Sequence, residues 1–237
     1  MLLCVMAPGP TNGLATNTGF AAPLGPGEEE EAFWIFAVLV EHLLPSDYFS
    51  DGLTGVRVDA EIFTDLLRER LSTLHAHLDA CGALPMLPMI TTQWFIALFC
   101  LVLPTRGLLR LWDCFFADGL KSKNKVFFRA ALAVLKLNEA TLLQLTDPQD
   151  LMDALKKAGT VGHDADALMQ ELFNKNWLGH FGDKVIEAKE EPHRHEAERE
   201  AARRAERQQA SAAARVAAAE ARGTASAEAH AASDRKS

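Results

Sequence analysis

Apolar residues are densest between residues 91 and 137, where three successive segments carry the pattern of buried helices. The segment Thr91–Leu103 has no formal charge and is followed by Pro104. It is too short for a bilayer span, which needs about 20 residues, so the pattern predicts a fully buried helix. In the next two segments, 108–116 and 126–137, apolar residues recur every three or four positions, which is typical of amphipathic helices. We expect these three helices to form the core of an all-α domain.

Further helices are predicted on both sides of this core. The first begins with four consecutive glutamates, whose carboxylates favour the positive end of a helix dipole. Another starts at Asp147–Pro148, since Asp is a favoured cap and Pro is favoured in the first turn. About six to eight helices are expected in all. Outside the core they cover 28–44, ended by Pro45; 59–81, ended by Gly82; 148–159, ended by Gly159; and 163–173.

Both ends of the chain differ in composition from this helical region. Residues 1–27 are rich in Pro, Gly, Thr and Asn, which predicts a flexible or disordered segment. Residues 183–237 are rich in Ala, Glu and Arg, which are strong helix formers, but carry almost no large apolar residue. We therefore predict three parts: a flexible segment 1–27, a helical domain 28–182, and a solvated helical tail 183–237 that is disordered after Gly223.

Composition excludes several classes of function. The 237 residues carry a net charge of −8 with a pI near 5.5, so there is no basic footprint for nucleic acid. There is no glycine-rich phosphate loop, nucleophile elbow or zinc-binding spacing, and we predict no cofactor and no metal. The four cysteines are far apart and without a CxxC pair, which is typical of buried, reduced thiols in an intracellular protein. They are Cys4, Cys81, Cys100 and Cys114.

Six segments, in the same order, resemble one known family. They are EEEEAFW from Glu28, LLPSDYFS from Leu43, VDAEIFTDLL from Val58, TTQWF from Thr91, LLRLWD from Leu108 and VFFRAALAVLK from Val126. Together they resemble the C-terminal half of the TBC domain, the helical module of Rab GTPase-activating proteins, over about Glu28–Leu145.

The resemblance implies which residues carry the family signature and what the family does. TBC domains insert an arginine and a glutamine into the active site of a Rab GTPase; the arginine neutralises developing charge and the glutamine orients the attacking water. An arginine of this kind is worth roughly 10³–10⁵ in rate. The signature residues in this chain are expected to be structural rather than catalytic. They are Trp34, Gln93, Trp94, Arg110, Trp112, Asp113 and Arg129.

The family's arginine and glutamine fingers lie in segments that precede the EEEEAFW-like motif. Residues 1–27 contain no Arg, Lys or Gln, and the first such residues, Arg57 and Gln93, match other family positions. We therefore predict that this chain has no catalytic residue and is not itself an enzyme. The alternative is that Arg110 or Arg129 acts as a replacement finger; we favour ion pairs and hydrogen bonds between core helices for both.

Three functions are compatible with this sequence. It is a Rab GTPase regulator that becomes active when the finger segments are supplied elsewhere, or a non-catalytic interaction module that binds a Rab or another protein. The third alternative is a truncated product that exposes an apolar face meant for missing helices. In each case the resemblance implies a Rab-type partner, no nucleic acid, no transmembrane segment, and a cytoplasmic location with peripheral recruitment to endomembranes through partners.

Overall fold

A computed structural model describes residues 25–50, 52–118, 125–160, 164–179 and 182–234. Every regular element in these ranges is helical, so the all-α prediction is confirmed. Most of the predicted flexible segment 1–27 lies outside the described residues. The helices are α1 (Pro26–Val38), α2 (Thr54–Arg70), α3 (Ser72–Ala80), α4 (Leu87–Ile96), α5 (Thr105–Asp118), α6 (Lys125–Leu142), α7 (Pro148–Lys157), α8 (Ala165–Leu172), α9 (Lys175–Leu178) and α10 (Asp183–Asp234). A π-helical turn, Leu39–Leu43, follows α1, and a 3₁₀ turn, Leu84–Met86, precedes α4.

The core is a cluster of aromatic rings contributed by α4, α5, α6 and the turn after α4. The ring centroid of Phe95 lies 5.3 Å from that of Phe128 and 6.0 Å from that of Phe99. The ring of Phe127 stacks on Phe99 at 5.9 Å and lies 4.7 Å from Phe115. Such pairs contribute about 0.5–1.5 kcal/mol each beyond the burial of their apolar area. The apolar density that pointed to residues 91–137 therefore does mark the core.

The predicted buried helix over Thr91–Leu103 is wrong in its limits. The helix begins earlier, at Leu87, because Pro88 suits the first turn of a helix, and it ends at Ile96. The chain then passes through turns in which Leu98 and Phe99 have left-handed backbone conformations, with φ of 47° and 63°. Neither residue is a glycine, so tertiary contacts rather than local preference must hold this turn.

The predicted single helix over 59–81 is divided into α2 and α3. The break is at Leu71, whose φ of −127° and ψ of 54° leave the helical region. No glycine or proline marks the break. The predicted apolar stripe is nevertheless buried on both sides of it: Leu67 is 0% exposed in α2, and Leu74 and Leu78 are 0% exposed in α3. The break changes the direction of the chain without exposing the stripe.

The start of α7 follows the predicted chemistry. The Asp147 carboxylate accepts hydrogen bonds from the backbone N–H groups of Gln149 and Asp150, at 2.8 and 3.2 Å. After α7 the chain reaches Gly159, which is buried. Gly159 was expected only as a helix terminator, but it also allows close packing: a Cβ added there would lie 2.6 Å from the carbonyl oxygen of Val102.

The first twelve residues of α10, 183–194, belong to the same compact unit as α1–α9. The chain divides into two compact units between residues 194 and 195, twelve residues after the boundary that composition predicted. Ion pairs explain the difference: Lys189 Nζ lies 2.5 Å from Glu69, and His193 Nε2 lies 2.8 Å from Asp65. Arg194 also lies 2.5 Å from Asp47, in the connection before α2. Ile186, which is 3% exposed, adds one buried apolar contact. A single buried apolar residue makes no periodic pattern, which is why the apolar pattern did not reveal this segment.

The second unit, residues 195–237, is helical as far as Asp234. Charge pairs three and four residues apart line it: Arg199 lies 3.2 Å from Glu196, and Arg204 lies 3.5 Å from Glu200. The helix continues past Gly223, where the sequence predicted disorder. The surrounding alanines explain the difference, because alanine has the highest helix propensity. Across the described ranges, no helix is both long enough and apolar enough to cross a membrane.

The packing of Gly159 against Val102 provides a test of the fold. We expect Gly159→Ala to lower the free energy of unfolding by about 1–3 kcal/mol, because the added methyl group must displace backbone. The control is Gly27→Ala in α1, where a Cβ would meet no atom within 4 Å. It should leave stability unchanged or raise it by up to about 1 kcal/mol. Urea unfolding measures both, and equal values for the two variants would contradict the packing described.

Candidate partner-binding groove

Helix α1 exposes much of its apolar surface. The side chains of Phe33, Trp34 and Phe36 are 61%, 59% and 45% exposed, whereas Ala32 is buried. The rings of Phe33 and Trp34 meet edge to face, with centroids 5.3 Å apart. Single exposed apolar residues are ordinary, but a contiguous group of aromatic residues marks an interaction surface. The apolar pattern of residues 28–44 predicted the helix correctly, but only some of its apolar side chains are buried in the core.

Phe33 and Phe36, together with Ala32, form one wall of an apolar groove. The opposite wall is the turn after α4, together with one residue of the connection that precedes α2. The groove has a volume of about 670 Å³, within the range of 300–1,000 Å³ typical of binding pockets. Its main apolar lining residues are Phe33, Phe36, Phe49, Leu98, Leu101 and Trp112.

The turn after α4 shapes this groove, and a buried side-chain hydrogen bond from α5 helps to hold it. The indole Nε1–H of Trp112 in α5 donates to the carbonyl oxygen of Leu98, at 3.1 Å. The backbone N–H of Phe99 donates to the carbonyl of Trp94, at 2.9 Å. As a result Phe99 is fully buried in the core, while Leu101 is 75% exposed at the groove. Left-handed backbone conformations of residues other than glycine persist only where the surrounding structure holds them, as it does here.

One acidic side chain of α1 contributes to the groove. The four carboxylates Glu28–Glu31 are exposed, and Glu29 lines the groove. Helix α1 itself contains no Lys or Arg. On the other side, burial raises the pKa of the Cys100 thiol above its ordinary value, so this thiol is protonated and weakly nucleophilic at neutral pH. The side chains of Cys81, Cys100 and Cys114 are half-buried rather than buried as predicted.

The three tryptophans of the predicted signature have different environments. Trp94 and Trp112 are 2% and 3% exposed, and both contact the turn after α4. Trp34 is exposed beside the groove, where its indole N–H lies 3.5 Å from the Glu30 carboxylate. Gln93 is exposed on α4. Burial therefore supports a structural role for Trp94 and Trp112, and it does not support one for Trp34.

The charged signature residues lie outside the groove lining. Arg110 in α5 forms an ion pair with Asp166 in α8, and this hydrogen-bonded guanidinium lowers the pKa of the Asp166 carboxyl. Arg129 is half-buried on α6 and has an interaction partner. Asp113 is exposed on α5, and its role as an acceptor between helices stays a prediction.

Sequence reasoning missed the residues that form the second wall. Phe49 was placed in a connector, and Leu98 and Leu101 were placed in a buried helix. The uncharged run 91–103 carries no local signal for a left-handed turn, because the turn depends on Trp112, which lies 14 residues further along the chain than Leu98. Only the juxtaposition of α1, α4 and α5 produces the groove.

Comparison with known protein families gives a result that agrees with the all-helical fold. A family model described as the Rab-GTPase-TBC domain matches residues 21–143, just over half of the 237 residues. The chain belongs to the RabGAP-TBC family. The match covers part of the domain and includes the predicted signature positions, which run from Trp34 to Arg129.

Several RabGAP-TBC proteins are similar to this chain. Growth hormone-regulated TBC protein 1 of Mus musculus is 33% identical over 180 residues, which cover 73% of this chain and 48% of that protein. Its Homo sapiens counterpart is 34% identical over 149 residues, covering 62% and 42%. TBC1 domain family member 2A of Mus musculus is 40% identical over 147 residues, covering 62% of this chain and 15% of that protein.

A solved structure of the family has the same fold. The crystal structure of the Chlamydomonas flagellar RabGAP TBC domain superposes with a TM-score of 0.53 at 31% identity. The match covers 63% of this chain and 47% of that one. The chain thus spans about half the length of the growth hormone-regulated relatives and of this TBC domain.

The ion pair between Arg110 and Asp166 predicts a pH-dependent contribution to stability. Because the pKa of Asp166 is lowered on folding, its contribution is present at neutral pH and is lost as the pH falls through that lowered value. We expect Asp166→Asn to lower the melting temperature at pH 7 by about 1–2 °C, since the pair is half-exposed. Thermal unfolding at pH 7 and in acid measures the effect.

The control variant is Asp153→Asn, which removes a pair within one helix, 3.5 Å from Lys156. It should have a smaller effect, because it does not join two helices. A difference between Asp166→Asn and the unaltered protein that persists unchanged in strong acid would show that the carboxylate charge is not the cause.

Proposed function

We propose that this protein regulates a Rab-type small GTPase by binding it, and that the helical domain 28–182 does not itself supply the arginine and glutamine that accelerate GTP hydrolysis. Membership of the RabGAP-TBC family carries the first part of this proposal. The environments of the signature arginines support the second part.

An arginine finger must project from the activator and place an unpaired guanidinium on the nucleotide of its partner. Arg110 is instead paired with Asp166 across two helices. Arg129 is half-buried on α6, between the buried residues Phe128 and Ala130, and it has an interaction partner. Both environments support a structural role for these arginines. Gln93 is exposed, but it lies on α4, in a segment that resembles a different part of the family domain than the glutamine finger.

We place the protein in the cytoplasm, where Rab-type GTPases and their regulators act in membrane trafficking. Recruitment to endomembranes would occur through the GTPase or another bound protein. The similar Chlamydomonas protein is described as a flagellar RabGAP, and this supports a GTPase of the same class as the partner here.

A second candidate function is a non-catalytic interaction module whose partner is not a Rab. The apolar groove favours it, because exposed Phe33, Phe36 and Leu101 offer a binding surface that does not depend on nucleotide chemistry. The same exposed surface is also compatible with a truncated product. A pulldown with GTP-loaded Rab proteins separates these alternatives. If the protein retains a Rab, the regulator is supported. If it retains none of them, a different partner or a truncated product is supported.

The decisive experiment is single-turnover GTP hydrolysis by a panel of Rab proteins with the purified chain added. We expect no acceleration, because both signature arginines, Arg110 and Arg129, interact with other groups of the protein. A chimera carrying the N-terminal half of the TBC domain from the Mus musculus relative should accelerate hydrolysis by roughly 10³–10⁵-fold on its matching Rab.

An acceleration of 100-fold or more by the chain alone would overturn the proposal. The variants Arg110→Ala and Arg129→Ala would then identify the residue responsible. Asp166→Asn serves as the matched control for Arg110→Ala, since it breaks the same ion pair and leaves the guanidinium in place.

A further inference from the structure

We propose that residues 183–194 act as a latch that detaches from α2 and reattaches to it while the other helices stay folded. The latch consists of the first twelve residues of α10, which belong to the same compact unit as α1–α9. Its detachment uncovers a cavity at the start of α2. This inference goes beyond the proposed function, because it concerns a movement of the protein itself and does not depend on a GTPase.

The first argument is the polar character of the face by which the latch contacts the other helices. Its buried and half-buried residues recur at helical spacing, so they lie on one face of α10. They are Val185, Ile186, Lys189, Glu190, His193 and Arg194. Within 184–194, Ile186 alone is buried. Helix α8, by contrast, has eight residues and buries four apolar ones, so apolar burial contributes far less to attaching the latch.

The second argument is that charged side chains make the contacts between the latch and its neighbours. Lys189 Nζ lies 2.5 Å from Glu69 and 4.0 Å from Asp65, both in α2. Arg194 pairs with Asp47 in the connection before α2. The Glu69 side chain is 43% exposed and that of Arg194 is 32% exposed. Partly exposed pairs of this kind stabilise a contact only weakly, because water competes for the same charges.

The third argument is a proline within the latch. Pro192 lies inside α10 and is exposed. Because proline has no backbone N–H, it removes one hydrogen bond from the helix, and its ring crowds the preceding turn. Segments that open locally have few buried apolar contacts and exposed backbone hydrogen bonds. Detaching the latch should therefore require much less free energy than unfolding α6, in which ten residues are buried.

The latch forms part of the wall of a cavity of about 460 Å³. Ile186, Glu190 and Arg194 line the cavity from the latch side. Val58 and Asp59 of α2 line it as well, and they are 1% and 8% exposed. When the latch detaches, the cavity loses this part of its wall. The inner surface formed by α2 then becomes accessible to solvent.

Hydrogen exchange of the full-length protein, followed by mass spectrometry, tests whether the latch opens independently. We expect protection factors in 183–194 to be roughly 100-fold or more below those in α6, because local opening exposes the latch amides. Raising the salt from about 0.1 M to about 1 M shortens the Debye length from about 10 Å to about 3 Å. Protection of the latch should then fall by roughly 3-fold or more, and protection of α6 should not change.

Two charge reversals locate the contact that holds the latch. Lys189→Glu places a carboxylate beside Glu69, and it should lower the protection of the latch amides by roughly 10-fold or more. Lys184→Glu is the matched control. It makes the same change of net charge in the same segment, but Lys184 is exposed and lies outside the half-buried face. It should leave protection of the latch unchanged.

A charge swap adds a rescue. Combining Glu69→Lys with Lys189→Glu again places opposite charges at these two positions, so protection should be roughly 3-fold or more above that of Lys189→Glu alone.

Thiol labelling measures whether the cavity is uncovered. The thiol introduced by Val58→Cys faces the cavity lining, and iodoacetamide should modify it roughly 5-fold faster or more when Lys189→Glu is also present. Adding Lys184→Glu in place of Lys189→Glu should leave the labelling rate unchanged.

Several results would overturn this inference. Equal protection of the latch and of α6 would show that the latch opens only when the whole domain unfolds. An absence of any salt effect on the unaltered protein, or equal effects of Lys189→Glu and Lys184→Glu, would show that charge does not hold the latch. Unchanged labelling of the Val58→Cys thiol in a detached latch would show that the cavity stays covered. None of these measurements uses a GTPase, so failure here and failure of the proposed Rab-regulating function are distinguishable.

Discussion

The hydrogen bond from the Trp112 indole to the Leu98 carbonyl is the contact on which the rest of this structure depends. It joins α5 to a turn that local backbone preference disfavours, because Leu98 and Phe99 both have positive φ. With this turn fixed, Phe99 enters the aromatic core and Leu101 leaves it. The same hydrogen bond therefore stabilises a turn that contributes Phe99 to the core and Leu101 to the apolar groove.

This dual role connects the fold with the function. The chain belongs to the RabGAP-TBC family, and Trp94 and Trp112 are buried within its helical domain. Arg110 joins α5 to α8 through Asp166. Phe33 and Phe36 of α1 and Leu101 of the turn after α4 remain exposed along one groove, which is open to a partner. We propose that the domain binds a Rab-type GTPase and does not itself supply the side chains that accelerate GTP hydrolysis.

Much of the fold could be predicted because it follows from local pattern. The amphipathic spacing of α5 and α6 and the cap of α7 at Asp147 are each properties of a few neighbouring residues, and the structure confirms them. The break at Leu71 could not be predicted, because no glycine or proline marks it. The groove was also missed: the uncharged run 91–103 has the composition of a buried helix, and only contact with α5 turns part of it outward. The ion pairs of residues 189–194 were missed because they join segments more than 100 residues apart.

The role of this hydrogen bond is tested most directly by comparing the free energy of unfolding of Trp112→Phe with that of Trp94→Phe, both measured by urea denaturation. Both variants remove an indole from a buried site, so the comparison corrects for lost ring volume. We predict that Trp112→Phe is less stable than Trp94→Phe by about 1–3 kcal/mol, because it leaves the buried Leu98 carbonyl without its donor. Equal stability of the two variants would contradict the claim that this hydrogen bond holds the turn.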